Sequence, residues 1–293
     1  MGYTLKSSVH CSGVGVHSGQ PLTLRLCPAL KGTGYVFERV DLEESKRFIP
    51  ATFQNITNSK FNTQIGFKDV VISTVEHVLA ALTACHITDM IIQIDGPEMP
   101  VMDGSSGSFV KIIQEGGLAQ VSDTRSFLVL DKELFVETSY GSSIQLMPAS
   151  YFSIQVVQDF KGREGVQNQF FKIEDVYCSF AEQIARARTF GFYQDAEKMW
   201  AAGLSKGASL ENTVVVKEGV VMNEKGLRFD NECARHKALD IIGDFALLGY
   251  GLQLACHAQN PGHELNAMVM KALLENPGHW HIEEKLVKPS FEI

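Results

Sequence analysis

Residues 235–245, RHKALDIIGDF, constrain this chain more than any other stretch. Read as a helix, they bring His236, Asp240 and Asp244 onto one stripe, because residues four apart lie one above the other. Ala238, Leu239, Ile241, Ile242, Phe245 and, just beyond, Leu248 cover the rest of the cylinder with apolar groups. The polar stripe therefore faces a packed or enclosed space rather than water. Burying a polar group without a partner costs on the order of 2–7 kcal/mol, and a charge costs more. The carboxylates need a cation. A His and an Asp one turn apart are a common way to offer a divalent metal two ligands from one rigid element.

The chain has 293 residues, 45% of them hydrophobic, which suffices for one large domain or two ordinary ones. A net charge of -8 gives a nucleic-acid partner no electrostatic support. A multiply anionic ligand must instead meet a local basic cluster. Cys11, Cys27, Cys85, Cys178, Cys233 and Cys256 are scattered and form no C-x-x-C pair. With no signal peptide evident at the first residues, they read as reduced thiols of a cytoplasmic protein. No apolar run approaches the ~20 residues of a transmembrane segment.

Leu22, Leu24 and Leu26 alternate with Thr23 and Arg25, the period of a half-buried strand. A helix is expected over 74–84, with Val75, Val78, Leu79 and Leu82 on its core face, then an apolar strand over 90–94. A turn through Gly96, Pro97, Pro100, Asp103 and Gly104 leads to a helix over 108–114, stopped by Gly116-Gly117. The second half repeats this order. Strands are expected over 127–130, 144–147 and 152–157, then the His236 helix, a strand over 252–256, a turn through Asn260-Pro261-Gly262 and a helix over 263–274. His77 and His236 fall at corresponding places. The pattern predicts an α+β fold of two similar halves, 1–123 and 124–293, strands first and helices after. Packed helix layer to helix layer, they bring both histidines to the seam. The second half is longer because 175–221 adds a helix, the segment 187–192, a short helix over 195–202 and another strand.

Residues 73–82 read STVEHVLAAL, with Glu76 beside His77. Neighbours on a helix diverge by about 100°, so both approach one site only if the pair sits at the helix start. Ser73-x-x-Glu76 is also a capping box, in which Glu76 merely satisfies a backbone N–H. His77 alone reads equally as a structural histidine. Taken across both halves, however, His77, His236 and Asp240 form a His-His-Asp set with a fourth position left for water, the open arrangement of a catalytic zinc site. A carboxylate beside a ligand, here Glu76, is where a metallohydrolase keeps its general base. His263 opens a helix, either bonded locally or projecting toward neighbouring elements. Asp244 is the natural carboxylate to hold a catalytic imidazole. His279-Trp280-His281 reads as surface, and His10, His17, His86 and His257 receive no role.

The motifs STVEH (73–77), MDGSSGSF (102–109), ARTFGF (187–192), GLRF (226–229), RHKALDIIGDF (235–245) and GH (262–263), in this order, resemble those of the UDP-3-O-acyl-N-acetylglucosamine deacetylase family. The likeness runs from Gly13-Val14-Gly15-Val16-His17-Ser18-Gly19 to the last helix. It implies two β-α-α-β halves with the active site between helix layers, and a zinc amidase of the committed step of lipid A synthesis in Gram-negative bacteria. It further implies His77, His236 and Asp240 as metal ligands, Glu76 as general base, and Thr189 as a partner of the oxyanion. His263, oriented by Asp244, would be the general acid. Lys237 would meet the sugar or diphosphate, and Phe160 would stack on uridine, although the spacing there departs from the family pattern. An insert over about 189–222 would form the passage for the 3-O-acyl chain, with Phe190, Phe192 and Leu204 as lining candidates or, alternatively, ordinary core. The 58–66 loop departs from the family's usual run of threonines, which leaves Thr63 as a substrate contact in question.

The expected cofactor is Zn²⁺, with Fe²⁺ equally suited to a His₂Asp set. The expected partner is a small molecule, an acylated UDP-amino sugar, bound by a monomer. Two other functions stay open: a nucleotide-sugar-binding protein with a structural metal, and a metallo-amidase for another acylated substrate. Glu76 and His263 argue against the first, because a pure binder needs neither a base nor an acid.

Overall fold

Leu22, Leu24 and Leu26 are buried on one face of Pro21–Pro28 while their neighbours face outward, as a two-residue period requires. The computed structural model describes residues 1–163 and 167–286, so the last residues of the expected 124–293 half lie outside the described residues. Pro21–Pro28 sits between Val9–Val14 and Met90–Ile94, antiparallel to both. Met90–Ile94 runs parallel to Tyr35–Arg39, which Phe48–Pro50 flanks antiparallel. The later part of the chain builds the same sheet again. Leu134–Glu137, Ser143–Met147, Ala255–Gln259, Ser153–Gln158 and Gln169–Ile173 follow in the same spatial order, with the same parallel and antiparallel senses. In each sheet the central strand is the last in sequence. The fold is α+β, and its internal repeat is visible in the hydrogen bonding.

Among the described residues there are six α-helices: α1 (Glu76–Ala84), α2 (Gly107–Gly116), α3 (Val176–Gln183), α4 (Ala196–Ala201), α5 (Glu232–Phe245) and α6 (His263–Glu275). Helix α2 packs on Val9–Val14, α5 on Ser153–Gln158 and Gln169–Ile173, and α6 on Leu134–Glu137 and Ser143–Met147. The helical sides meet where α1 packs along α5. Every residue of α1 is buried, and α5 buries both its apolar cover and its His236–Asp240–Asp244 stripe. The seam between the helices is therefore a buried, polar-lined contact, the setting in which a charge must find a partner.

Several boundaries differ from expectation. Helix α1 starts at Glu76 rather than at 74, because Ser73 ends the strand Val70–Ser73 and Thr74 turns with φ of 62°. The apolar run over 252–256 is two strands in different sheets. Gly251–Gln253 pairs with Arg125–Leu130, whereas Ala255–Gln259 is the centre of a five-stranded sheet. A run buried on both faces carries no alternation to mark where the chain changes sheets. Within 187–192, Phe190–Phe192 is a strand, parallel to Val214–Lys217. An antiparallel three-stranded sheet in the first half, Ile56–Asn58, Gln64–Phe67 and Val70–Ser73, was not anticipated. The C-terminal stretch is also a strand, Trp280–Lys285, along Arg125–Leu130, with His281 exposed and bonded to Asp131. No described helix is long and apolar enough to cross a membrane. All six cysteines are free.

Candidate metal centre and its cavity

The turn at Thr74 sets Glu76 and His77 in the first turn of α1, where adjacent side chains can approach one site. The capping box is not formed. The Ser73 hydroxyl accepts from Gln64 Nε2 (2.8 Å), no side chain caps the helix, and Glu76 Oε2 accepts from the backbone N–H of Thr63 (3.2 Å). The carboxylate is thereby held by the loop before Gln64–Phe67 instead of on its own helix. Ser106 Oγ donates to the carbonyl of His77 (2.7 Å), tying the α2 start to α1.

His77, His236 and Asp240 each offer one ligand atom, and these atoms lie within 4.8 Å of one another. The two imidazoles meet edge to face with centroids 5.0 Å apart. His236 Nδ1 lies 3.0 Å from the carbonyl of Ala187, which leaves Nε2 facing Asp240 Oδ1 at 3.3 Å. Such a backbone partner selects the tautomer whose other nitrogen is free to ligate. His77 Nδ1 and Asp240 Oδ1 are buried and have no hydrogen-bond partner. Burial, reinforced by His236, pushes the His77 pKa down to about 3, so this imidazole is neutral, the form that binds metals. Burial alone would raise Asp240, but Lys237 and the surrounding histidines hold its carboxyl below the usual range. Two neutral imidazoles, one ionised carboxylate and orphaned buried donor atoms fit a divalent cation of the Zn²⁺ or Fe²⁺ type.

Glu76 and His263 flank this set. Burial, with Asp244 and Asp240 adding to it, raises the Glu76 pKa to about 8 against the opposing pull of His263. A cation among the three ligands acts on Glu76 in the opposite sense. His263, the first residue of α6, contacts Asp244 Oδ2 through Nδ1 at 2.8 Å. Its Nε2 points between Glu76 Oε1 and Asp240 Oδ2, 3.9 Å from each. Burial would lower this imidazole, but Asp244, Asp240 and Glu76 outweigh it and push the pKa up to about 9.

A cavity of about 580 Å³ opens above these groups. Its floor includes Glu76, His77, Thr189, His236, Asp240 and His263, and Phe190, Phe192, Met199, Trp200 and Leu210 line its apolar walls. Leu204 lies off this wall. Lys237 also lines the cavity, with Nζ 2.9 Å from Asp240 Oδ2 and 5.4 Å from the Phe190 ring centroid. Phe160 is buried against Phe190 and Phe192, at centroid distances of 6.1 and 5.8 Å, and lines a neighbouring cavity of about 740 Å³. Thr63 is placed differently from the expectation of a substrate contact. It does not line the 580 Å³ cavity, and its hydroxyl is bonded to Asp244 Oδ1 (2.5 Å).

Residues 187–189 are held by contacts that sequence reasoning did not find. Glu232, fully buried, accepts from Arg188 N, Nε and Nη2 and from Arg228 N. The amide of Thr189 donates to the carbonyl of Gly104 (2.7 Å). Gly104 has φ of 84°, and a Cβ there would lie 1.8 Å from the carbonyl oxygen of Asn212, so only glycine fits. His17, given no role from the sequence, is on the cavity wall, its amide bonded to Glu98 Oε1 (2.8 Å). Asn266 also went unnoticed, although its Nδ2 donates to Asp244 Oδ2 (2.7 Å). Its position one turn after His263 was the available signal.

The UDP-3-O-acyl N-acetylglycosamine deacetylase family profile matches residues 2–275. A protein of Anaeromyxobacter sp. (strain Fw109-5) named UDP-3-O-acyl-N-acetylglucosamine deacetylase is 42% identical over 276 residues, covering 94% of this chain and 89% of the relative. Proteins of the same name from Geobacter sp. (strain M21) and Nitrosococcus oceani are 40% and 39% identical, covering 94% and 95% of this chain and 89% and 91% of the relatives. With a match of this extent over a site of this geometry, the chain belongs to the UDP-3-O-acyl-N-acetylglycosamine deacetylase family.

Proposed function

We propose that the chain is a metal-dependent amidohydrolase. It removes the N-acetyl group of UDP-3-O-acyl-N-acetylglucosamine, giving UDP-3-O-acyl-glucosamine and acetate in the committed step of lipid A synthesis. The observation that carries this reading is the buried His77–His236–Asp240 set with its orphaned donor atoms, lying beside a carboxylate and an imidazole that are 3.9 Å apart. A divalent cation held by these three residues, Zn²⁺ or Fe²⁺, would supply Lewis acidity to the acetamide carbonyl and to water.

The rest of the chemistry belongs to the chain. Glu76 takes a proton from the attacking water as its oxygen bonds to the acetyl carbon. Thr189, on the cavity floor, faces the oxygen on which negative charge develops. His263, held as imidazolium by Asp244, gives its proton to the glucosamine nitrogen as the C–N bond breaks, and acetate leaves. Lys237 provides a local positive charge for the sugar or diphosphate in a chain of net charge -8. The apolar wall containing Phe190 and Phe192 receives the 3-O-acyl chain, and Phe160, which lines the adjoining cavity, stacks on uridine.

This function is served by two halves, 1–123 and 124–293, with the insert over about 189–222 forming the passage, in a cytoplasmic monomer. Acetate release from the UDP-sugar, measured with and without a chelator, tests the reading. Release that persists in full after the metal is stripped, or no release by metal-loaded protein, would contradict it.

A further inference from the structure

We infer that Thr63 is a positioning residue that holds the base and the orienting carboxylate of the acid in one frame. This rests on the deacetylase reading for what the frame serves. Thr63 lies at the end of the loop before Gln64–Phe67 and is buried, with 2% of its surface exposed. Each of its polar groups is used on a different part of the site. Its amide donates to Glu76 Oε2 (3.2 Å), and its carbonyl accepts from the amide of Val75, which precedes α1 (3.3 Å). Its hydroxyl donates to Asp244 Oδ1 on α5 and lies 3.3 Å from His263 Nδ1 on α6.

A hydroxyl has one proton, and that of Thr63 is given to Asp244 Oδ1. The other oxygen, Asp244 Oδ2, takes His263 Nδ1 (2.8 Å) and Asn266 Nδ2 (2.7 Å), both from α6. Donors on one oxygen alone leave the carboxylate free to rotate about its Cβ–Cγ bond. The Thr63 hydroxyl, arriving from the other half of the chain on the second oxygen, removes that freedom. With the carboxylate plane set, His263 Nε2 is kept 3.9 Å from Glu76 Oε1, and the same residue holds Glu76 through its backbone. Base and acid thus share one support, reached by one side chain and one peptide group.

The test compares Thr63→Val, which keeps the shape and loses the hydroxyl, with Thr63→Ser, which keeps the hydroxyl. Thr63→Ala is a smaller companion that forces no methyl group against Asp244. Loss of the hydroxyl should lower kcat at least about tenfold with KM changed less than about twofold, because placement rather than uniform binding is lost. Thr63→Ser should recover most of that loss. Combined with Asp244→Asn, the Thr63→Val effect should largely vanish, since the hydroxyl acts through that carboxylate. Independently of turnover, the low-field His263 Nδ1–H proton resonance should move in Thr63→Val and Thr63→Ala and stay in place in Thr63→Ser. A wild-type kcat in both Thr63→Val and Thr63→Ala, full additivity with Asp244→Asn, or an unmoved resonance overturns the inference. Failure of the wild-type protein to release acetate instead sinks the deacetylase reading, and the resonance, read without substrate, still decides the role of Thr63.

Discussion

A Cβ added to Gly243 would lie 2.0 Å from the carbonyl oxygen of Glu76, so α5 touches the first turn of α1 where only a glycine fits. This contact sets the distance across the seam. Asp244 follows Gly243 directly, and Asp240 lies one turn before Asp244. The separation of Glu76 from His236 and Asp240 therefore depends on a missing side chain.

Gly243→Ala should reduce both stability and turnover. Alanine in a helix interior is normally favoured over glycine by about 1 kcal/mol. Here the helices must part by about 1 Å, since contacts under 3.0 Å do not persist, and overpacking of this kind costs about 1–3 kcal/mol. A misplacement of about 1 Å can cost on the order of 10²-fold in rate. Urea melts and kcat measure the two effects, and an unimpaired Gly243→Ala enzyme would show that the seam can yield.

Base, acid and ligands should separate cleanly by variant. Glu76→Ala and His263→Ala should each keep the metal and slow the reaction by about 10²-fold or more, the usual contribution of a positioned proton-transfer group. His236→Ala and Asp240→Ala should instead release the metal. Metal content by mass spectrometry, together with single-turnover rates, distinguishes the two classes. Metal loss in Glu76→Ala would mean that its carboxylate is a ligand.

Chelated protein should lose stability as the pH rises from about 6.5 to 9. Folding raises Glu76 from 4.5 to about 8 and His263 from 6.5 to about 9. Across that window the folded state holds more protons than the unfolded state, so deprotonation favours unfolding. For each group the contribution is complete below its unfolded pKa and is lost as the pH passes its folded one. His77, lowered to about 3, acts in the opposite sense only below its ordinary 6.5. Urea midpoints at pH 6.5 and pH 9 provide the check, and a higher midpoint at pH 9 would refute the assignment.

Glu232→Gln should be costly although Glu232 lies outside the cavity wall. It leaves Arg188, 6% exposed at its side chain, without its counter-charge. Removing one partner of such a buried pair costs about 3–5 kcal/mol. Because Ala187 orients His236 through its carbonyl, metal affinity should fall by about 10–100-fold as well. Calorimetry and metal titration read the two losses, and a fully stable Glu232→Gln protein would mean that Arg188 finds another partner.

The stripe on α5 was legible because helix period is local. Four-residue spacing forces His236, Asp240 and Asp244 onto one side whatever surrounds them. The repeat of strand and helix order was legible for the same reason, and both five-stranded sheets follow it. Where periodicity is silent, the reading missed. The double strand at Gly251–Gln253 and Ala255–Gln259 read as one run, and His17 received no role. Glu76 was ambiguous between cap and base, and only the packing places its carboxylate on Thr63 N instead of at the helix cap.

By itself, the amino-acid order determined which side chains share a helix face, how the strands alternate and which family the motifs belong to. Each of these depends on residues a few positions apart, or on the succession of short motifs. Only the tertiary structure decided that Thr63 bonds Asp244, 181 residues away, and that Gly243 lies against Glu76. It likewise decided that Glu232 clamps Arg188. Such contacts form when distant segments pack to close density, and no local period records them.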